Sequence, residues 1–225
     1  MVSSRPTPPI EPSGSRIAIM DAATHAFMET GFSGARVDKI AGHAGANKAM
    51  IYYHFGSKHG LYKAVLLRLF GDVLNEVARL DASEAPPEEK LQALYTRIAQ
   101  HFTDTPALPH IMLREILAGG KAMDAEAAHT LGVIVDFVAA TLKEGVRTGV
   151  FRKVHPILLH KTMLGLMMMH FAGASFRERV FPQGRPGVQP PRNDEMLAHL
   201  LEVLHRTLAH EGAGPALQTR QRKTK

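Results

Sequence analysis

Over nearly the whole chain apolar residues return at intervals close to 3.6, and no sustained apolar–polar alternation bounded by turn residues breaks the pattern. A chain patterned in this way buries its apolar side chains as packed helices, so the expected fold class is all-α. Proline and glycine signals divide it into about nine helices. The first is predicted over about 15–30, with Ile17, Met20, Ala23 and Phe27 on one face and Gly31 as its stop. Two short helices follow, over about 37–44 and 47–54, with Gly45 between them. A residue without Cβ there lets the chain turn sharply at positive φ. Asn47 and Ser57 are suited to N-caps, and Ser57 opens a long fourth helix that continues to the break at Ala85-Pro86-Pro87. Further helices are predicted over about 88–102, 107–118, 123–148, 156–178 and 193–210.

At 225 residues, with 45% hydrophobic and 21% charged, the chain is long and apolar enough for a proper core. It contains no cysteine, which removes disulfides, thiolate nucleophiles, iron–sulfur clusters and cysteine-based zinc sites, and nothing calls for an oxidising compartment. A cytoplasmic location is expected. Residues 1–14, interrupted by prolines and without an apolar run, read as a flexible leader. The most apolar stretch, 157–174, is broken by His160, Lys161 and His170, so no membrane passage is expected.

The formal charge of +6 is concentrated in two short segments. Residues 31–60 hold Arg36, Lys39, Lys48 and Lys58 against Asp38 alone, and residues 211–225 hold Arg220, Arg222, Lys223 and Lys225 against Glu211. Such clustering suits an anionic partner, and it equally suits a solvated face with a solubilising basic tail over 212–225.

Three helices with a tight glycine turn between the second and third form the arrangement that inserts one helix into the DNA major groove. In the third, Ile51 and Phe55 lie four apart and can face the core together, which leaves Lys48, Ala49, Met50, Tyr53 and His54 on or near the outer surface. Residues 16–62 closely resemble the N-terminal domain of tetracycline-repressor-like (TetR-family) transcriptional regulators. The resemblance is carried by Arg16-Ile17, Ala22-Ala23, Phe27, Glu29, Gly31-Phe32, Val37, Ile40-Ala41, Ala44-Gly45, Ile51-Tyr52-Tyr53-His54-Phe55, Ser57-Lys58 and Leu61-Tyr62. It implies a DNA-binding domain over 15–62 with a helix-turn-helix at about 36–55, and a dimerisation and effector-binding domain over 63–211. It further implies that Tyr52, Tyr53, His54 and Lys58 contact phosphates and bases, with Lys48, Ala49 and Met50 at the positions that read sequence. The chain departs from the family pattern at Ala35, Lys39 and Ala49-Met50, and Arg36 could supply a compensating phosphate contact. A double-stranded, palindromic operator, a homodimer and a small effector that releases a repressor are the partners the resemblance implies, and the methionines, phenylalanines and few charges between about 107 and 177 point to an effector that is largely apolar.

No motif marks the remainder. Met196, Leu197, Leu200, Leu201, Leu204 and Leu208 form a wide apolar stripe on the last helix, and Gly165, Ala172 and Gly173 permit close approach of the one before. Together they could build a four-helix interface across a two-fold axis. Met163, Met167 and Phe171, with Met112 and Met123, would suit an adaptable apolar pocket, to which His110, Arg114 and His170 could add polar contacts. The same thioethers suit an irregular core equally well. The histidines lack metal-site spacing, and no glycine-rich phosphate loop, nucleophile elbow or catalytic carboxylate pair is present, so no metal, cofactor or enzymatic activity is expected. The competing reading is a helical small-molecule-binding protein or enzyme whose N-terminal trio is only structural.

Overall fold

The computed structural model describes residues 12–182 and 189–209. Among them are ten helices and no strand: α1 (Pro12–Gly34), α2 (Val37–His43), α3 (Lys48–Phe55), α4 (Lys58–Asp81), α5 (Pro87–Asp104), α6 (Ala107–Leu117), α7 (Ala125–Arg147), α8 (Pro156–Ala172), α9 (Ala174–Val180) and α10 (Asn193–Leu208). Of the expected leader, Pro12–Gly14 are helical and residues 1–11 lie outside the described residues, as does the basic tail over 212–225.

The boundaries follow local chemistry. Gly31 interrupts α1 with φ 68°, and the two residues most suited to capping do cap: the Asn47 side chain accepts from the Ala49 N–H and Ser57 from that of Gly60. Pro87 occupies the first turn of α5 with Glu88 and Glu89 beside it, where carboxylates meet the positive end of the helix dipole. Asp124 caps α7. Besides α1, which begins at Pro12 and resumes beyond Gly31 to Gly34, one boundary differs from expectation. The single helix predicted over 156–178 is two, α8 and α9, bent by 69° at Gly173. A Cβ at Gly173 would overlap the Met169 carbonyl oxygen, so a glycine is what permits the bend and raises the helix count to ten.

Helices α1 to α3 close over Ile19, Ala23, Phe27, Ile40, Ala41 and Ile51, and Leu61 and Tyr62 at the start of α4 complete this small core. It runs without interruption into a larger one in which α4 packs on α5 and α7, α5 on α7 and α10, and α8 on α6, α7 and α10. Helix α7 is long and apolar enough to cross a membrane, but Ala127, Ile134, Phe137, Val138 and Leu142 are buried within this bundle. Met196, Leu200, Leu204 and Leu208 of α10 are likewise buried against α5 and α8, leaving Leu197 and Leu201 half-buried at the rim.

Candidate functional site

The Gly45 turn (φ 61°) presents α3 at the end of the small unit. Ile51, fully buried, anchors it, and the half-buried Phe55 lies under the Arg16 guanidinium. Lys48, Ala49, Tyr52 and Tyr53 are exposed, Tyr53 by 79%. Met50 is half-buried and packs against the core, so only part of its side chain reaches outward. His54 is also half-buried, and its Nε2 is buried with no hydrogen-bond partner.

Lys48, Arg36 and Lys58 each have a partner within the protein. Lys48 Nζ lies 2.8 Å from Asp38 Oδ1 on α2, and Arg36 lies 3.9 Å from the other oxygen. The hydrogen bond and charge of Lys48 hold the Asp38 carboxyl below the usual carboxylate range, and those of Asp38 raise the Lys48 ammonium. Lys58 sits 4.7 Å over the Phe32 ring and reaches the Ser33 carbonyl at 3.4 Å, and this partial burial lowers its ammonium from the ordinary value. Asp38 was not singled out by sequence, because a carboxylate ten residues from a lysine has no visible link to it until the glycine turn folds α2 beside α3.

A second feature lies in the larger unit. A cavity of about 280 Å³ is lined by Phe70 and Val73 of α4, Ile98 and Phe102 of α5, Leu108, Met112 and Ile116 of α6, Leu131, Ile134 and Val135 of α7, and His160, Leu164 and Met168 of α8. Of the expected pocket residues, Met112 alone lines it. Met163 and Met167 are closed core, Met123 is half-buried in the α6–α7 connection, and Phe171 stands behind the wall with its ring edge-on to Phe102. His110 bonds its own helix at the Pro106 carbonyl, and His170 ties α8 to α10 through Asn193. Arg114 is turned to the small unit, where it donates to the carbonyls of Met28 (3.0 Å) and Glu29 (2.6 Å) ahead of the Gly31 break. Helix-end carbonyls attract a guanidinium strongly. Its neighbour Glu115 is buried, accepting from the Tyr62 hydroxyl at 2.7 Å, with its second oxygen unpartnered. On α8 the cavity takes the stripe His160, Leu164, Met168, one residue away from the stripe Met163, Met167. The detectable signal was His160, a polar residue within an apolar stretch and in register with the lining pair.

His160 is 8% exposed, and burial pushes its imidazole down to about 4. Above its ordinary value of 6.5 the ring is neutral in both the folded and the unfolded chain. As pH falls from there toward 4 the unfolded chain takes up the proton first, so stability drops, by about 3 kcal/mol in all. Chemical denaturation across that range should show the loss, and His160→Phe should remove most of it. A parent-like pH profile in the variant would mean that other groups carry the acid sensitivity.

The chain resembles known proteins over most of its length. Residues 19–65 match the model of the bacterial regulatory proteins of the TetR family, and residues 87–204, where no motif was visible, match that of the tetracyclin repressor-like C-terminal domain. The HTH-type transcriptional repressor NicS of Pseudomonas putida is 32% identical over 136 residues, 60% of this chain and just under two thirds (64%) of that one. The HTH-type transcriptional regulator RutR of Escherichia coli is 29% identical over 182 residues, 75% of this chain and 84% of the other. The transcriptional regulator FadR from Bacillus subtilis, solved in complex with stearoyl-CoA, has the same fold, with a TM-score of 0.62 at 18% identity over 85% of this chain and 98% of that one.

Proposed function

This chain belongs to the TetR family of bacterial regulatory proteins, and we propose that it is a cytoplasmic, dimeric repressor released from a palindromic operator by a small apolar effector. The observation that carries the reading is the outward face of α3, with Lys48, Ala49, Tyr52 and Tyr53 exposed on a helix fixed by Ile51 and the Asn47 cap. In this proposal Tyr52, Tyr53, His54, Lys58 and Arg36 hold phosphates, and Lys48, Ala49 and the exposed part of Met50 meet base edges. Asp38 keeps Lys48 and Arg36 in place until DNA draws Lys48 to base edges and Arg36 to phosphate. The dimer forms through α8 and α10. Leu158 (63% exposed) and Met169 (65%) lie along α8 with the exposed Gly165 between them, beside the rim residues Leu197 and Leu201. The effector enters the α4–α8 cavity, and the long acyl chain of the stearoyl-CoA bound by FadR supports an apolar portion in the occupant. The work of the chain is binding, not catalysis.

Gel retardation against DNA upstream of its own coding sequence tests the reading. Lys58→Ala should weaken binding to every duplex and reduce the log–log salt slope by about one. Asp38→Asn should act oppositely, tightening binding to random duplex by freeing two cations. Lys48→Ala should change which bases are preferred, with about 1–3 kcal/mol at stake. If Lys58→Ala leaves the slope unchanged, the side chain serves Ser33 rather than DNA.

A further inference from the structure

The cavity between α4 and α8 has an unusual chemical balance. Among its lining residues the single titratable group is His160, and no lysine, arginine or carboxylate faces it. The His160 Nδ1 is 3.3 Å from the Tyr95 hydroxyl, which is itself fully buried. Among the described residues no hydrogen bond reaches its Nε2. The imidazole is kept neutral through the physiological range by burial, so it offers no positive charge. A neutral ring carries one N–H, and which nitrogen bears it depends on the Tyr95 hydroxyl. If the hydroxyl donates to Nδ1, then Nε2 is left as a donor; if it accepts from Nδ1, then Nε2 is left as an acceptor.

Resting on the reading of this cavity as the effector site, we infer that its ligand is uncharged, apolar apart from one hydrogen-bonding group, and set with that group on His160 Nε2. An alcohol, which both donates and accepts, meets either state of the imidazole, whereas a ketone or an ester meets only the state in which Nε2 donates. A carboxylate or phosphate does not, because an ionised group brought among Phe70, Phe102, Leu164 and Met168 would lose its hydration with no cation in return. The volume, about 280 Å³, sits at the lower end of ligand pockets, which limits the occupant to a small molecule.

Matched probes separate these claims. Octanol and octanoate, and phenylethanol and phenylacetate, have equal numbers of carbon atoms and differ in charge. Calorimetric titration of the whole protein at neutral pH should give each alcohol at least about a hundredfold lower Kd than its carboxylate. Lowering the pH toward 5 should tighten octanoate by about tenfold per unit while leaving octanol unchanged, since only the neutral acid enters. Leu164→Trp, which fills the cavity, should abolish binding of both alcohols. His160→Phe should weaken the alcohols by about fivefold to tenfold, as expected for one lost hydrogen bond. Equal or tighter binding of the carboxylates, lost in Leu164→Trp, would overturn the inference while leaving the cavity as the ligand site. Alcohol binding that persists in a folded Leu164→Trp, or no binding by any probe, would overturn the location itself. The charge comparison is made on the parent protein, so it stands even if a variant fails to fold.

Discussion

Gly60→Ala should weaken operator binding by about a hundredfold. Gly60 lies in the first turn of α4, and a Cβ there would overlap the carbonyl oxygen of Phe55, the last residue of α3. The obstacle is backbone, so no rotamer change relieves it. Either α3 swings away from α4 or the Ser57 cap opens, and in both cases the exposed tyrosines leave their position. Overpacking of this kind costs about 1–3 kcal/mol, and the cost falls directly on the link between α3 and the rest of the molecule. Gly42→Ala is the control, because a Cβ at Gly42 meets nothing within 4 Å and sits inside a helix. It should stabilise by about 0.5–1 kcal/mol. Retardation assays, together with far-ultraviolet melts, decide the matter. Parent-like operator affinity in Gly60→Ala would show that the α3–α4 junction adapts without moving α3.

The second large effect concerns coupling. Octanol in the cavity should change operator affinity by about 5- to 150-fold, and linkage requires operator to change octanol affinity by the same factor. Two helices join the sites. Helix α4 lines the cavity with Phe70 and Val73 and carries Tyr62 and Lys58 near its start. Helix α6 lines it with Leu108, Met112 and Ile116, while Arg114 holds the Met28 and Glu29 carbonyls and Glu115 holds Tyr62. A ligand that shifts α6 therefore pulls on α1 and α4 together. Tyr62→Phe removes the bond to Glu115 and should lower the coupling factor toward unity, leaving octanol affinity intact because Tyr62 does not line the cavity. It should also cost about 1–3 kcal/mol of stability, since a buried carboxylate loses its hydrogen-bond partner. Full coupling in a folded Tyr62→Phe would mean that the signal bypasses this contact.

Much of the fold was legible because its signals are local. Helical period, the Asn47 and Ser57 caps, the Gly31 and Gly45 turns and the proline breaks act within a few residues of themselves, and each appears where expected. The bend at Gly173 escaped notice because α8 and α9 share one apolar pattern, and a glycine within a helix is tolerated until its surroundings decide otherwise. The outward residues of α3 were legible for a similar reason. Over eight residues, an anchor at Ile51 fixes which positions face away from the core.

The cavity was not legible, and the reason is geometric. Apart from His160 on α8, its walls are ordinary apolar stripes, indistinguishable in sequence from stripes that close the core; only the packing of five helices leaves a gap between them. On α8 a difference of one residue, about 100° of rotation, separates the buried Met163 and Met167 from the lining Leu164 and Met168. The same holds for the long-range polar contacts. Arg114 reaches carbonyls 86 and 85 residues away, and Glu115 meets Tyr62 across 53 residues, partners that no spacing in the chain announces. By itself the sequence determined the helices, their caps and the exposed face of α3, since these depend on neighbours within a turn or two. Where the helices leave room for a ligand, and which charges they bring together, depends on distances between elements, and only the tertiary structure decided those.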